Sequence, residues 1–189
     1  FPMFAKIQGS NLEMESVSQN NKQELLQIFS TPAWFRDCPN PANPAVAAGV
    51  YVVWRGDELI YAGMSGKDIE KKQQKRKYGL VTRLSSHASG RLSGDQMNVY
   101  VANRFVVPEI DAAQQVKFAA GTLRLDTLTR QYIHEHLEYQ YLVVERSTEA
   151  YALERLCRCG YIFEQCPYLN PDKSAPTTAD FSVVETILS

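Results

Sequence analysis

Apolar positions along this chain form short runs and helical repeats that are separated by polar turns. The clearest pattern covers residues 49–63, where two runs rich in Val, Ile, Leu, Tyr and Trp flank the turn Arg55-Gly56-Asp57-Glu58. Such runs on both sides of a short glycine-containing turn predict a β-hairpin. Each run carries one tyrosine, so we expect Tyr51 and Tyr61 to lie near one another across the ladder.

Helical spacing marks the segments on either side of this hairpin. Leu25, Leu26 and Phe29 predict a short helix over 20–29, and the proline-rich residues 31–48 then predict a linker or wrapping arm. After the hairpin we predict a helix over 80–88 that Gly90 ends, and a strand over 98–107 that Pro108 stops. A helical or irregular insertion over 109–126 and a helix over 126–136 follow. The last predicted elements are a strand over 138–145, a helix over 150–158 and a terminal helix or strand over 181–188.

The helix over 80–88 carries the first polar pair of interest. Leu80, Val81 and Leu84 predict its buried side. Arg83 and His87 follow one another at a one-turn spacing, and we expect both on the opposite face. At that spacing both side chains reach a single phosphate.

The pattern as a whole predicts an α/β (α+β) fold with a small, mainly antiparallel central sheet flanked by helices. A chain of 189 residues suits one domain with arms. We expect an N-terminal helix and Pro-rich arm at 1–46, a central domain at 47–172 with an insertion at about 91–136, and a C-terminal tail at 173–189.

Charge adds a local feature to an ordinary composition. The net charge is −1, so the chain as a whole has no basic signature for nucleic acid. Residues 67–91 nevertheless hold eight cationic against two acidic side chains. This asymmetry predicts either a phosphate-facing patch or a solvated lysine-rich loop. The cationic side chains are Lys67, Lys71, Lys72, Lys75, Arg76, Lys77, Arg83 and Arg91.

Cysteine and hydropathy patterns bear on the compartment. Cys157-x-Cys159 and Cys166 have no second closely spaced cysteine pair and no histidine at ligand spacing, so we expect reduced thiols and no zinc site. No apolar run approaches the roughly 20 residues that cross a bilayer. We therefore expect a soluble, cytoplasmic protein without a membrane partner.

Two tripeptides carry a resemblance to a known family. Gly49-Val50-Tyr51 and Tyr61-Ala62-Gly63 resemble the paired signature of the GIY-YIG nucleases. Arg83, Glu154 and Pro167-Tyr168-Leu169-Asn170 then follow in the order that this family shows. The resemblance covers roughly residues 47–172. The Arg-x-x-x-His spacing is similar to that of the restriction-endonuclease branch.

The resemblance implies roles for three aromatic side chains. Tyr51 would act as general base toward water, although a phenol with a pKa near 10 is a weak base at neutral pH. Tyr61 would orient the water or share its proton. His87 would serve as an active-site proton relay, because its ordinary pKa of about 6.5 suits that task.

The resemblance also implies roles for the charged residues. Arg83 would clamp the phosphate, and Glu154 would hold one Mg²⁺ or Mn²⁺ per active site. Asn170 would brace the site by hydrogen bonding. Because 16 residues separate Glu154 from Asn170, which is longer than in the excision-repair branch, Glu149 is the alternative metal ligand.

These expectations together favour a divalent-metal-dependent DNA endonuclease that cuts duplex DNA at a specific site, like a type II restriction enzyme. A homodimer on a palindrome would cut both strands, and a monomer that cuts them in sequence stays open. The alternatives are a structure-specific or mobile-element nuclease, or an inactive nucleic-acid-binding module. We expect DNA contacts from Lys67, Lys71, Lys72, Lys75, Arg76, Lys77 and Arg91.

Overall fold

A four-stranded antiparallel sheet is the centre of the structure, a computed structural model that describes residues 20–43, 46–67 and 79–189. The strands are β1 (Ala33–Trp34), β2 (Ala48–Arg55), β3 (Glu58–Ser65) and β4 (Glu138–Val144), in the order β1-β4-β2-β3. The helices are α1 (20–28), α2 (Leu80–Ala88), α3 (Gln96–Val101), α4 (Ala112–Ala119), α5 (Leu125–His136), α6 (Ser147–Arg158) and α7 (Thr178–Leu188). The predicted α+β class with an antiparallel sheet is confirmed.

The predicted hairpin is present as β2 and β3. Its two-residue turn needs a left-handed residue, and Gly56 supplies a φ of 58°. In the register of the pair, Tyr51 lies opposite Gly63, and Tyr61 lies opposite Val53. Because Tyr61 stands two residues from Gly63, both tyrosines project from the same face as diagonal neighbours.

The sheet buries apolar side chains on both faces. Val50 and Val52 face a core shared with α1, α6 and α7, whereas Tyr51 and Val53 face a second core shared with α2, α3 and α5. This alternation follows the period of two along a strand. The second core contains Tyr51, and Tyr61 packs against it.

The predicted strand over 98–107 is wrong, because this segment is helical. α3 is followed by a π-helical turn at Ala102–Val106 and a 3-10 turn at Val107–Glu109. Asp95 caps α3 by accepting the backbone N–H of Asn98, and buried Met97, Val101 and Phe105 recur at every fourth position. This helical repeat outweighs the β-branched composition that favoured a strand.

Other predicted elements agree with the structure. The helices predicted over 80–88 and 126–136 and the strand over 138–145 are present to within one residue at either end. The helix over 150–158 begins earlier, at Ser147. The terminal segment is helix α7, which packs against α6 and buries Val184. In the described part of the chain, no helix has the length and apolarity to cross a membrane.

The four cysteines carry no disulfide. Cys157 is a residue of α6 and is buried in the first core. Cys38, Cys159 and Cys166 are more accessible.

Candidate active site

The two tyrosines of the hairpin form one aromatic cluster. Their ring centroids lie 6.3 Å apart, and the ring planes differ by only 23°. Gly63 makes room for this arrangement, because a Cβ at that position would overlap the phenol oxygen of Tyr51. The glycine of Tyr61-Ala62-Gly63 is therefore required by Tyr51 on the neighbouring strand.

His87 joins this cluster from helix α2. Its Nε2 lies 2.8 Å from the hydroxyl oxygen of Tyr51, and its ring centroid lies 5.2 Å from that of Tyr51. The tyrosine side chain is thus connected to an imidazole by a direct hydrogen bond.

The expectation that Arg83 and His87 share one outer face is wrong. His87 lies seven residues after Leu80 and three after Leu84, so its ring joins the buried stripe of α2, whereas Arg83 is exposed. The buried ring is 1% exposed and cannot reach a phosphate on the surface. The two residues therefore have different environments in spite of their one-turn spacing.

Asp95 completes a buried chain of polar groups, although no role for it was expected from the sequence. Both of its carboxylate oxygens lie 2.8 Å from Nδ1 of His87. Ser86 Oγ donates to the same carboxylate at 2.7 Å, and the backbone N–H of Asn98 donates at 3.2 Å. We call Tyr51, His87 and Asp95 the buried relay, since each is at most 2% exposed.

Burial determines the protonation of the relay at neutral pH. It raises the pKa of Tyr51 well above 10, and the charge of neighbouring Tyr61 acts in the same direction. Burial also lowers the pKa of His87 below 6.5, with the hydrogen bond to Asp95 opposing it. A protonated phenol therefore faces a neutral imidazole.

The carboxylate at the end of the relay stays charged. Burial acts to raise the pKa of Asp95, but hydrogen bonds from His87, Ser86 and the Asn98 backbone outweigh it, and the pKa is lowered. Asp95 is therefore an acceptor for the Nδ1–H of His87 at neutral pH.

Two charged side chains, Arg83 of α2 and Glu154 of α6, act electrostatically on the tyrosines. Arg83 lowers and Glu154 raises the pKa of both Tyr51 and Tyr61, so all four side chains share one electrostatic neighbourhood. The pKa of Tyr61 rises to about 12, chiefly through burial. We call exposed Arg83 and half-buried Glu154 the open rim of the site.

Glu154 is the carboxylate in this neighbourhood that suits a cation. Burial raises its pKa, and the charges of Arg158 and Arg83 oppose that effect. The described residues contain no group of three or more His, Cys, Asp or Glu side chains placed to hold a metal ion. A lone carboxylate still fits Mg²⁺, which keeps several waters and takes other ligands from substrate phosphates.

The alternative ligand, Glu149, is engaged elsewhere. One of its carboxylate oxygens accepts the backbone N–H groups of Glu145 at 3.1 Å and Arg146 at 3.0 Å. These bonds close the first turn of α6. Glu149 therefore acts at a helix end, whereas Glu154 acts beside the tyrosines.

Asn170 binds the backbone of the strand that carries Tyr61. Its Nδ2 donates to the carbonyl of Ala62 at 2.6 Å, and its Oδ1 accepts the N–H of Ala62 at 3.1 Å. Arg158 Nε in turn donates to the Asn170 carbonyl at 2.9 Å. The paired bonds to Ala62 brace the outer edge of β3 next to the site.

The predicted DNA contacts lie only partly within the described residues. Lys67 and Arg91 are exposed. The other predicted contacts, Lys71, Lys72, Lys75, Arg76 and Lys77, lie outside the described residues.

Comparisons of the chain with protein-family models, with curated proteins and with solved structures found no match.

Proposed function

We propose that this chain is a divalent-metal-dependent DNA endonuclease of the GIY-YIG type, which hydrolyses phosphodiester bonds at a specific site in duplex DNA in the manner of a type II restriction enzyme. The observation that carries the proposal is the common neighbourhood of Tyr51, Tyr61, Arg83 and Glu154. These four groups come from one β-hairpin and from two helices, α2 and α6, that follow it at different distances along the chain.

The buried relay supports a route for the proton of the attacking water. Tyr51 is protonated at neutral pH, so its oxygen takes a proton only as its own proton leaves. His87 Nε2, at 2.8 Å, is the acceptor for that leaving proton. The relay thus relieves the weakness of a phenol as a general base.

The open rim supplies charge where phosphate oxygens would lie. The planar guanidinium of Arg83 suits two nonbridging oxygens and stabilises the charge that develops on them. Glu154 would hold the divalent cation, which, when bound, neutralises charge at the leaving oxygen. Tyr61, whose ring lies against those of Tyr51 and His87, would orient the water.

Cleavage of both strands in one binding event would use two such sites, one from each of two chains. A homodimer on a palindromic sequence meets this need by symmetry. Base readout would come from surface outside the catalytic groups.

The proposal is tested by incubating the purified chain with mixed plasmid DNA and Mg²⁺ and sequencing the resulting ends. Discrete fragments with a shared end sequence would support a site-specific endonuclease. A smear without sequence preference would overturn the specificity. DNA left intact with Mg²⁺ and with Mn²⁺, but retained by the protein in a gel shift, would overturn catalysis and favour the binding module.

A further inference from the structure

Asp95 lies outside the set of residues that the nuclease resemblance supplies, yet it has the most complete set of hydrogen bonds near the tyrosines. From this geometry we infer that Asp95 is a positioning residue, which holds His87 in one tautomer and so makes His87 Nε2 the final acceptor of the water proton. The catalytic half of this inference rests on the proposed function. The tautomer half does not.

The tautomer follows from what each partner can donate. An ionised carboxylate only accepts, and both Asp95 oxygens lie 2.8 Å from His87 Nδ1, so Nδ1 carries the hydrogen. The lone pair of the neutral ring is then on Nε2, which faces the Tyr51 hydroxyl. Tyr51 donates to His87, and His87 donates to Asp95.

The step balances with these groups, the attacking water and solvent. As the water oxygen bonds to phosphorus, the bond from phosphorus to the leaving sugar oxygen breaks and that oxygen takes a proton from solvent. The proton of the attacking water passes to the Tyr51 oxygen. The Tyr51 proton passes to His87 Nε2, and the Nδ1 proton stays between His87 and Asp95. The relay ends as an imidazolium next to a carboxylate, which attract one another.

Asp95 is itself held in place from two sides. Ser86, at the end of α2, donates to its carboxylate, and the Asn98 backbone N–H at the start of α3 donates as well. The Asn98 amide then donates to the carbonyls of Ser86 and Arg91. This closed loop fixes the carboxylate before any substrate arrives.

Among the charged groups around His87, Asp95 favours protonation of the ring and Arg83 opposes it. Arg83, on the same helix, lowers the pKa of His87, and Tyr51 and Tyr61 face it from the hairpin. The carboxylate of Asp95 raises the pKa of His87. Loss of Asp95 would therefore make His87 a poorer acceptor as well as a mobile one.

The test compares Asp95→Asn with Asp111→Asn. Both aspartates cap a helix through a backbone N–H, at 3.2 Å for Asp95 and 2.7 Å for Asp111, and asparagine is a good cap. Asp111 is exposed at the start of α4 and serves as the matched control. Ser86→Ala, which removes one brace and leaves the carboxylate on His87, is the milder second variant.

The first measurement is the ¹⁵N spectrum of the histidine rings of the free protein near pH 8. The signals of His87 are those that are absent from the spectrum of His87→Gln. In the wild type and in Asp111→Asn we expect the hydrogen of the His87 ring on Nδ1 and none on Nε2. In Asp95→Asn we expect a different distribution of the two tautomers. An Nε2–H tautomer in the wild type, or an unchanged spectrum in Asp95→Asn, would overturn the inference.

The second measurement is the pH profile of cleavage. We expect Asp95→Asn to lower kcat by about 10²–10⁴-fold with little change in KM, which is the usual contribution of a proton-transfer group. Its acid limb should move to lower pH, since Asp95 raises the pKa of His87. A lower rate with an unmoved limb would mean a merely structural role. If the wild type shows the expected ring spectrum but does not cleave DNA, the nuclease proposal is overturned and the tautomer assignment still holds.

Discussion

The buried relay and the open rim lie side by side but differ in almost every physical property. Tyr51, His87 and Asp95 are at most 2% exposed and are joined by hydrogen bonds of 2.8 Å. Arg83 is exposed, and Glu154 is half-buried. The relay is complete without a substrate, whereas the rim would, under the proposed function, need a phosphate and a cation to complete its contacts. Groups that move a proton gain from a fixed, dry geometry, and groups that bind an ion must stay open to it.

The largest expected effect comes from a substitution in the open rim, at Glu154. Replacing Glu154 by Gln removes the charge that would hold a divalent cation while conserving the size of the side chain. We expect cleavage to fall below detection in a plasmid assay, with DNA affinity in a gel shift changed by no more than a few-fold.

Glu149→Gln is the matched control on the same helix. Gln can still accept a backbone hydrogen bond at the helix start, so this variant should keep cleavage and stability near the wild-type values. Cleavage that survives Glu154→Gln and fails in Glu149→Gln would move the metal ligand to Glu149.

A comparison of Arg83→Ala with Tyr51→Phe separates the regions by stability. We expect both variants to lose activity, Arg83→Ala by about 10²–10³-fold, because each removes one group that acts on the reacting centre. Only Tyr51→Phe should unfold more easily, by about 1–3 kcal/mol, because it leaves the buried Nε2 of His87 without its donor.

Urea unfolding of both variants measures this difference directly. Arg83→Ala removes an exposed side chain and should stay within about 0.5 kcal/mol of the wild type. An equal decrease of stability in the two variants would mean that Arg83 belongs to the packed structure and not to an open rim.

The same contrast explains which parts of the site were accessible from sequence. The hairpin and its tyrosines were predicted correctly, because strand alternation and a Gly-Asp turn are local features. The position of Glu154 near Tyr61 followed from the resemblance and agrees with their electrostatic coupling. Residues of the open rim thus occupy elements that can each be predicted from a short stretch of the chain.

The relay was harder to predict, since it depends on packing between distant segments. The one-turn spacing from Arg83 suggests an outer face for His87, but its spacing of seven residues from Leu80 puts the ring on the buried stripe. The β-branched residues after Asn98 favour a strand and so obscure the N-cap pattern that begins at Asp95. No local pattern brings a helix histidine to a strand tyrosine 36 residues away.

The pH dependence of stability provides a test of the relay without any substrate. The pKa of folded His87 lies below its ordinary value of about 6.5, so the unfolded chain binds a proton more readily as the pH falls below 6.5. Stability should therefore decrease from pH 7 toward the lowered pKa, by about 1.4 kcal/mol for each pH unit between the two values. The lowered pKa of Asp95 adds a further decrease near pH 4 and below.

His87→Gln is the control for this titration, because glutamine does not ionise. Urea unfolding of the variant should show a smaller slope of the free energy of unfolding between pH 7 and 5 than the wild type does. Equal slopes in the two proteins would mean that His87 is not held neutral in the folded state.

The smallest effect is expected where the open rim extends toward DNA. Lys67 and Arg91 are exposed cationic side chains in the segment with the positive excess. Removing one cation that pairs with a DNA phosphate should reduce the slope of log K against log salt by about 1. The double variant Lys67→Ala/Arg91→Ala should therefore bind DNA with a salt slope about 2 smaller in magnitude. Lys117→Ala/Arg124→Ala, which removes two exposed cations from the insertion, is the matched control. A larger change in that control would place the DNA on the face that carries α4, away from the rim.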